Sequence, residues 1–131
     1  MTIMSFVVSS ADGTDFDPLD VEKALRVPAT RMIRVGQPHV KLTTKGVRDY
    51  GDYHHGVWIL NSAIFCDARK ATAHLHWLWS VIGNKEEAIT ELAKRYKCIV
   101  HFSGVTEDKR PPRALCEQFE ELGITFEYEW F

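Results

Sequence analysis

No apolar run in this chain approaches the roughly 20 residues that a membrane-spanning helix needs, so a helical membrane protein is not expected. The first ten residues lack the basic start and cleavage site of a signal peptide and alternate like a strand instead, which makes a cytosolic location the expectation. Cysteine is scarce. Cys66, Cys98 and Cys116 are odd in number, widely spaced and set in apolar surroundings, a pattern of buried thiols rather than of a disulfide framework. Phosphate loops are also missing, since Gly46, Gly51 and Gly56 match neither G-x-x-x-x-G-K-[ST] nor G-x-G-x-x-G. Ser9, Ser62 and Cys98 lack a local activation signature such as G-x-S-x-G, and nothing along the chain places a base beside them. These absences point away from an enzyme and from a cofactor.

What is present suits one globular unit. With 131 residues, 45% hydrophobic and 26% charged, the chain can bury roughly two-thirds of its unfolded surface without staples. A single domain over residues 1–131 is expected.

The stretch 72–96 is the organising element. Leu75, Leu78, Trp79 and Ile82 fall at i, i+3, i+4 and i+7, and Ile89, Leu92, Ala93 and Tyr96 repeat that spacing after Gly83-Asn84, where the helix kinks or splits. Trp77 lies off that stripe, either exposed or capping an open sheet face, whereas Trp58, Trp79 and Trp130 read as core. Around this stretch, Ile3–Ser9 alternates as a half-buried strand, and the turn 11–14 follows it. Asp17-Pro18 opens a helix that buries Val21 and Leu25. Residues 31–36 form a short strand, and 37–52 read as a long polar loop without a clear period. Residues 53–62 form a strand apolar on both faces, and Lys97–Val105 resumes a period of two, with Cys98, Val100 and Phe102 on one face and Ile99, His101 and Ser103 on the other. A last helix carries Leu115, Phe119 and Leu122 and stops at Gly123, and residues 124–130 alternate as the closing strand. Interleaved helices and amphipathic strands predict an α+β two-layer sandwich. Its sheet would have four to five strands, mixed or mostly antiparallel, with about three helices on one face. Thr125, Glu127, Glu129, His101 and Ser103 would lie on the open face.

The net charge of −2 excludes a strongly basic nucleic-acid binder by composition, but the charge is unevenly spread. Lys23, Arg26, Arg31, Arg34, Lys41, Lys45 and Arg48 occur with no acidic residue among them, while Glu117, Glu120, Glu121, Glu127 and Glu129 close the chain. The basic segment is a solvated loop or a surface for an acidic partner, and the acidic end is a natural counterpart for a basic protein.

The order of these patterns resembles the bacterial domain-of-unknown-function family numbered 4279. The residues that carry the resemblance are Asp17-Pro18 through Leu25, Pro28, Thr30 and Gly36. The run Gly56-Val57-Trp58-Ile59-Leu60-Asn61-Ser62, then His74-Leu75 through Leu92 and Leu122-Gly123-Ile124-Thr125-Phe126-Glu127, complete it. The resemblance implies a small α+β domain with no agreed activity, some of whose relatives resemble immunity proteins encoded beside toxins. It brings no catalytic residues.

Six histidines and three cysteines raise the question of a metal. His74 and His76 diverge by about 200° on a helix, and His54 and His55 face opposite ways on a strand. A site would need one member of each pair with Cys66 or Asp67, and no ligand spacing supports that, so no metal is expected. From the resemblance and the charge asymmetry together, the expected function is non-catalytic binding, as an immunity protein that occludes a cognate toxin. Its contact residues would be Glu117, Glu120, Glu121, Glu127, Glu129, His101, Tyr50, Tyr53 and Arg48. One alternative is a small-molecule or enzymatic pocket near Trp58, His54 and His101; another is an inhibitor of host nucleic-acid machinery acting through the basic segment. The partner would be a protein, with neither membrane nor nucleic acid expected and a homodimer left open.

Overall fold

The computed structural model describes residues 2–10, 16–62 and 70–130. The turn 11–14, Cys66 and Asp67 lie outside the described residues, and so does the side chain of Trp130. Among the described residues, seven strands and four α-helices follow one another as β1 (Ile3–Ser9), α1 (Pro18–Leu25), β2 (Arg31–Ile33), β3 (Pro38–Thr43), β4 (Gly46–Asp52), β5 (Val57–Asn61), α2 (Ala71–Ile82), α3 (Glu86–Arg95), β6 (Lys97–Val105), α4 (Arg113–Glu120) and β7 (Thr125–Trp130). Five strands form one mixed sheet in the order β2-β5-β1-β6-β7, antiparallel except where β7 runs parallel to β6.

Alternation decides the two faces. Val8 pairs with both Trp58 and Cys98, and Phe6 pairs with Leu60 and Val100, so these side chains share one face. That face packs in a single core with Val21 and Leu25 of α1, Leu75, Leu78 and Ile82 of α2, Ile89 and Leu92 of α3, and Phe119 of α4. All four helices therefore cover the same side of the sheet. There are four rather than about three because the 72–96 stretch is divided at Gly83-Asn84-Lys85. Trp77 packs half-buried against this core and does not cap the open face.

Local signals act as their chemistry requires. Asp17 Oδ1 accepts the Leu19 amide at 3.0 Å, capping α1. At the end of α4, Ile124 N donates to Phe119 O (3.3 Å) and Gly123 N to Glu120 O (3.0 Å), a Schellman closure with Gly123 at φ +94°. A Cβ at residue 123 would also lie 2.7 Å from Ala93 Cβ. Gly123→Ala should accordingly cost about 1–2 kcal/mol from the left-handed backbone, measured as a fall in the urea midpoint.

Residues 37–52 correct the sequence reading. They are not a loop but the β3–β4 hairpin, with Leu42 opposite Val47 and Lys41 opposite Arg48. The hairpin grows from the β2–β5 connection, where Gly36 N donates to Tyr53 O and Tyr53 N to Gln37 O. Every residue of β3 and β4 is exposed except His39, which is half-buried. No buried face imposes an apolar period here, so the pattern that betrays other strands is absent. The strand expected over 53–62 is correspondingly shorter, Val57–Asn61.

Candidate functional site

Among the described residues no helix lies over the open face of the sheet. Its central row runs across the strands as Arg31, Ile59, Val7, Ile99 and Thr125, and the next row as Asn61, Ser5, His101 and Glu127. Val7 and Ile59 are half-buried there, Ile99 is 8% exposed, and none of the three is shielded by a helix. At the β7 end, His101 Nδ1 lies 3.8 Å from Glu127 and Nε2 lies 4.0 Å from Glu129, contacts that become ion pairs only with a protonated imidazole. The face thus offers an aliphatic strip bordered by carboxylates.

The expected contact residues fall into three places. His101, Glu127 and Glu129 meet on the open face. Glu117, Glu120 and Glu121 are exposed on and just after α4, on the helix side of the sheet, so a flat partner cannot touch both acidic sets at once. Arg48, Tyr50 and Tyr53 belong to the hairpin and its base, where Arg48 Cζ sits 5.0 Å above the Tyr50 ring. His39, not singled out from sequence, joins them: its ring lies 4.9 Å from Tyr50 and stacks on Tyr53 at 4.4 Å.

The pocket expected near Trp58, His54 and His101 does not form. Trp58 points into the helical core and is fully buried, His101 lies on the opposite face, and His54 is exposed before β5. Strand parity separates them, since Trp58 shares a face with Val8 and His101 with Ser5. A cleft of about 540 Å³ lies elsewhere, between the end of α1 and the α2–α3 junction, lined in part by Arg26, Asn84, Lys85 and Glu86. The Lys85 ammonium is committed there to the Leu25 carbonyl, at 2.5 Å.

Among the described residues, a buried Ser–His pair is an arrangement that invites catalysis. Ser62 Oγ and His74 Nδ1 are 2.5 Å apart, twelve residues apart in sequence, and both residues are 0% exposed. The Ser62 hydroxyl also reaches the Met4 carbonyl at 3.2 Å. The hydroxyl has one proton and two acceptors in reach; in the tautomer where it donates to Met4 O it accepts from Nδ1–H, the reverse of the polarity a nucleophile needs. The pair ties the end of β5 to α2 and β1. Its residues were legible one by one, but their meeting was not.

Among the described residues no group of three or more His, Cys, Asp or Glu side chains is arranged to hold a metal, and no helix is long and apolar enough to cross a membrane. Cys98 and Cys116 are buried free thiols. Burial pushes the Cys98 thiol up from 9.0 to about 12. Burial also raises Cys116 and Tyr128, whose Sγ and hydroxyl lie 4.0 Å apart. Because Cys98 holds its proton more tightly when folded, its contribution to stability is complete below pH 9 and is lost as pH rises toward 12. At pH 8, Cys98 should resist iodoacetamide in the native protein and react on unfolding, as followed by mass spectrometry.

A family model described as a domain of unknown function, DUF4279, matches residues 1–128. The chain belongs to the DUF4279 family. No curated protein and no solved structure shows a significant match to it. The features of this DUF4279 domain that bear on function are therefore its own: a sheet face that no described helix covers, with an acidic margin, a projecting hairpin, and polar core groups closed to solvent.

Proposed function

We propose that this DUF4279 domain is a non-catalytic binding protein, an immunity protein that neutralises a cognate bacterial toxin by direct contact. The reading is carried by the sheet face that no described helix covers, where the strip Ile59–Val7–Ile99 runs from Arg31 to Thr125, with Glu127 and Glu129 in the next rows of β7. Aliphatic side chains with a charged margin supply the dry centre and polar rim of a protein interface. Carboxylates at the margin draw in a basic surface and speed encounter. The enclosed Ser62–His74 pair supports the same reading, since it offers no accessible nucleophile.

Co-expression with the products of the flanking genes, where a cognate toxin would be encoded, tests this. The wild-type chain should protect the cell and co-purify with the toxin. Val7→Lys, in the middle of the strip, should weaken the complex by about tenfold or more while the circular dichroism spectrum stays unchanged. A wild-type chain that neither protects nor forms a complex refutes the proposal.

A further inference from the structure

The hairpin carries features that the sheet face does not explain. Val35, Val40, Leu42, Val47 and Tyr50 are the exposed large hydrophobics among the described residues, and all fall within this one segment; Leu42 is 85% and Val47 72% exposed. Register sorts β3 and β4 into two faces. Val40, Leu42 and Val47 lie on one, and Lys41, Arg48 and Tyr50 on the other. Lys41 and Arg48 stand directly opposite each other, with Lys41 Nζ 5.6 Å and Arg48 Cζ 5.0 Å from the Tyr50 ring centre. Like charges in that position repel, and among the described residues no carboxylate lies within ion-pairing distance of either. The cations already cover the Tyr50 ring, so its face is not free to stack on a nucleic-acid base. What the hairpin lacks is a strand beside it, with carboxylates on one face and apolar groups on the other.

β7 is such a strand. It is the edge of the main sheet, hydrogen-bonded to β6 on one side and to no described strand on the other. Like β3, it has six residues. Glu127 and Glu129 lie on its open face, while Phe126 and Tyr128 face the helices. Within one chain the two cannot serve each other, because the hairpin springs from the β2 edge and β7 lies at the far edge, four strand spacings or roughly 19 Å away.

We propose that the chain binds a second copy of itself by strand addition, with β3 of one molecule pairing along the free edge of β7 of the other. Lys41 and its neighbour Arg48 then meet Glu127 and Glu129, and Val40 and Leu42 extend the apolar row of Phe126 and Tyr128. β3 is the edge used, because β4 carries Asp49 and Asp52 whereas β3 has no carboxylate. Charge also excludes the homotypic alternatives. β7 against β7 sets glutamate against glutamate, and β3 against β3 sets lysine against lysine, the usual means by which sheet edges avoid self-pairing. Only the mixed pairing is attractive. Used reciprocally, two such contacts close a dimer. Because the new strands add in the plane of the sheet, the strip Ile59–Val7–Ile99 stays uncovered, and the inference does not depend on toxin binding.

Sedimentation equilibrium of the full chain decides the matter. The wild type should self-associate. K41E/R48E and E127K/E129K should each weaken that association by about tenfold or more, with unchanged circular dichroism. An equimolar mixture of the two variants should associate again, since each acidic hairpin then finds a basic β7 and each basic hairpin an acidic one. A wild type that stays monomeric at about 100 µM, well above a micromolar Kd, overturns the proposal. So does association that ignores both charge reversals, including one lost only in L42D, which would mark an apolar hairpin-to-hairpin contact. Toxin protection is a separate readout: its loss with self-association intact removes only the proposed function, and the reverse result removes only the strand pairing.

Discussion

Trp58→Ala should lower the free energy of unfolding by about 3–5 kcal/mol, because Trp58 is the bulkiest fully buried side chain among the described residues. Trp58 is fully buried on β5, flanked in register by Met32 and Val8, and meets Phe6 edge to face with ring centres 5.9 Å apart. Truncation leaves a cavity beneath all the elements that rest on the middle of the sheet. A typical domain is stable by only about 5–15 kcal/mol, so this variant would lose a large share of its margin. The indole nitrogen refines the expectation. Nε1 is buried without a hydrogen-bond partner, which itself costs about 1–3 kcal/mol. Trp58→Phe removes that donor together with part of the ring and should therefore be much milder than Trp58→Ala. Urea denaturation of both variants checks this, and equal losses would show that ring packing is not what Trp58 contributes.

Ser62→Ala should destabilise the protein by about 1–3 kcal/mol through what it leaves behind rather than through lost packing. His74 Nδ1 loses the oxygen 2.5 Å away, and the Met4 carbonyl loses the hydroxyl, in a region with no access to water. Replacing both partners with apolar groups, as Ser62→Ala with His74→Leu, should recover part of the loss, because no buried donor then lacks its acceptor. A nucleophilic serine would behave oppositely, with an activity abolished at unchanged stability. The double-mutant cycle in urea therefore also tests the non-catalytic reading. A Ser62→Ala variant as stable as the wild type would contradict the structural role assigned to the pair.

Much of the fold was legible because the signals concerned are local. The alternation in Ile3–Ser9 and Lys97–Val105 gave both strands with the observed ends, since side chains two apart share a face whatever the strand pairs with. The Asp17 cap and the Gly123 terminator depend only on a few neighbouring amides and carbonyls. The hairpin was less legible. Its ladder is made of backbone groups that carry no side-chain signature, and the available signal, Gly46 at φ +107° directly after the turn Thr44-Lys45, was a single residue.

The sequence by itself determined an α+β chain whose core-facing elements carry apolar periodicity, with a basic middle and an acidic end. Periodicity and charge are properties of neighbours along the chain, so they survive without knowledge of the fold. Tertiary structure alone decided which elements became neighbours. It set β7 parallel to β6 at the edge opposite the hairpin, brought Ser62 onto His74, and put the α4 acids and Glu127 on opposite sides of one sheet. Strand order and the closing of distant contacts are settled by the joint packing of all the apolar faces into one core, and no local pattern encodes that choice.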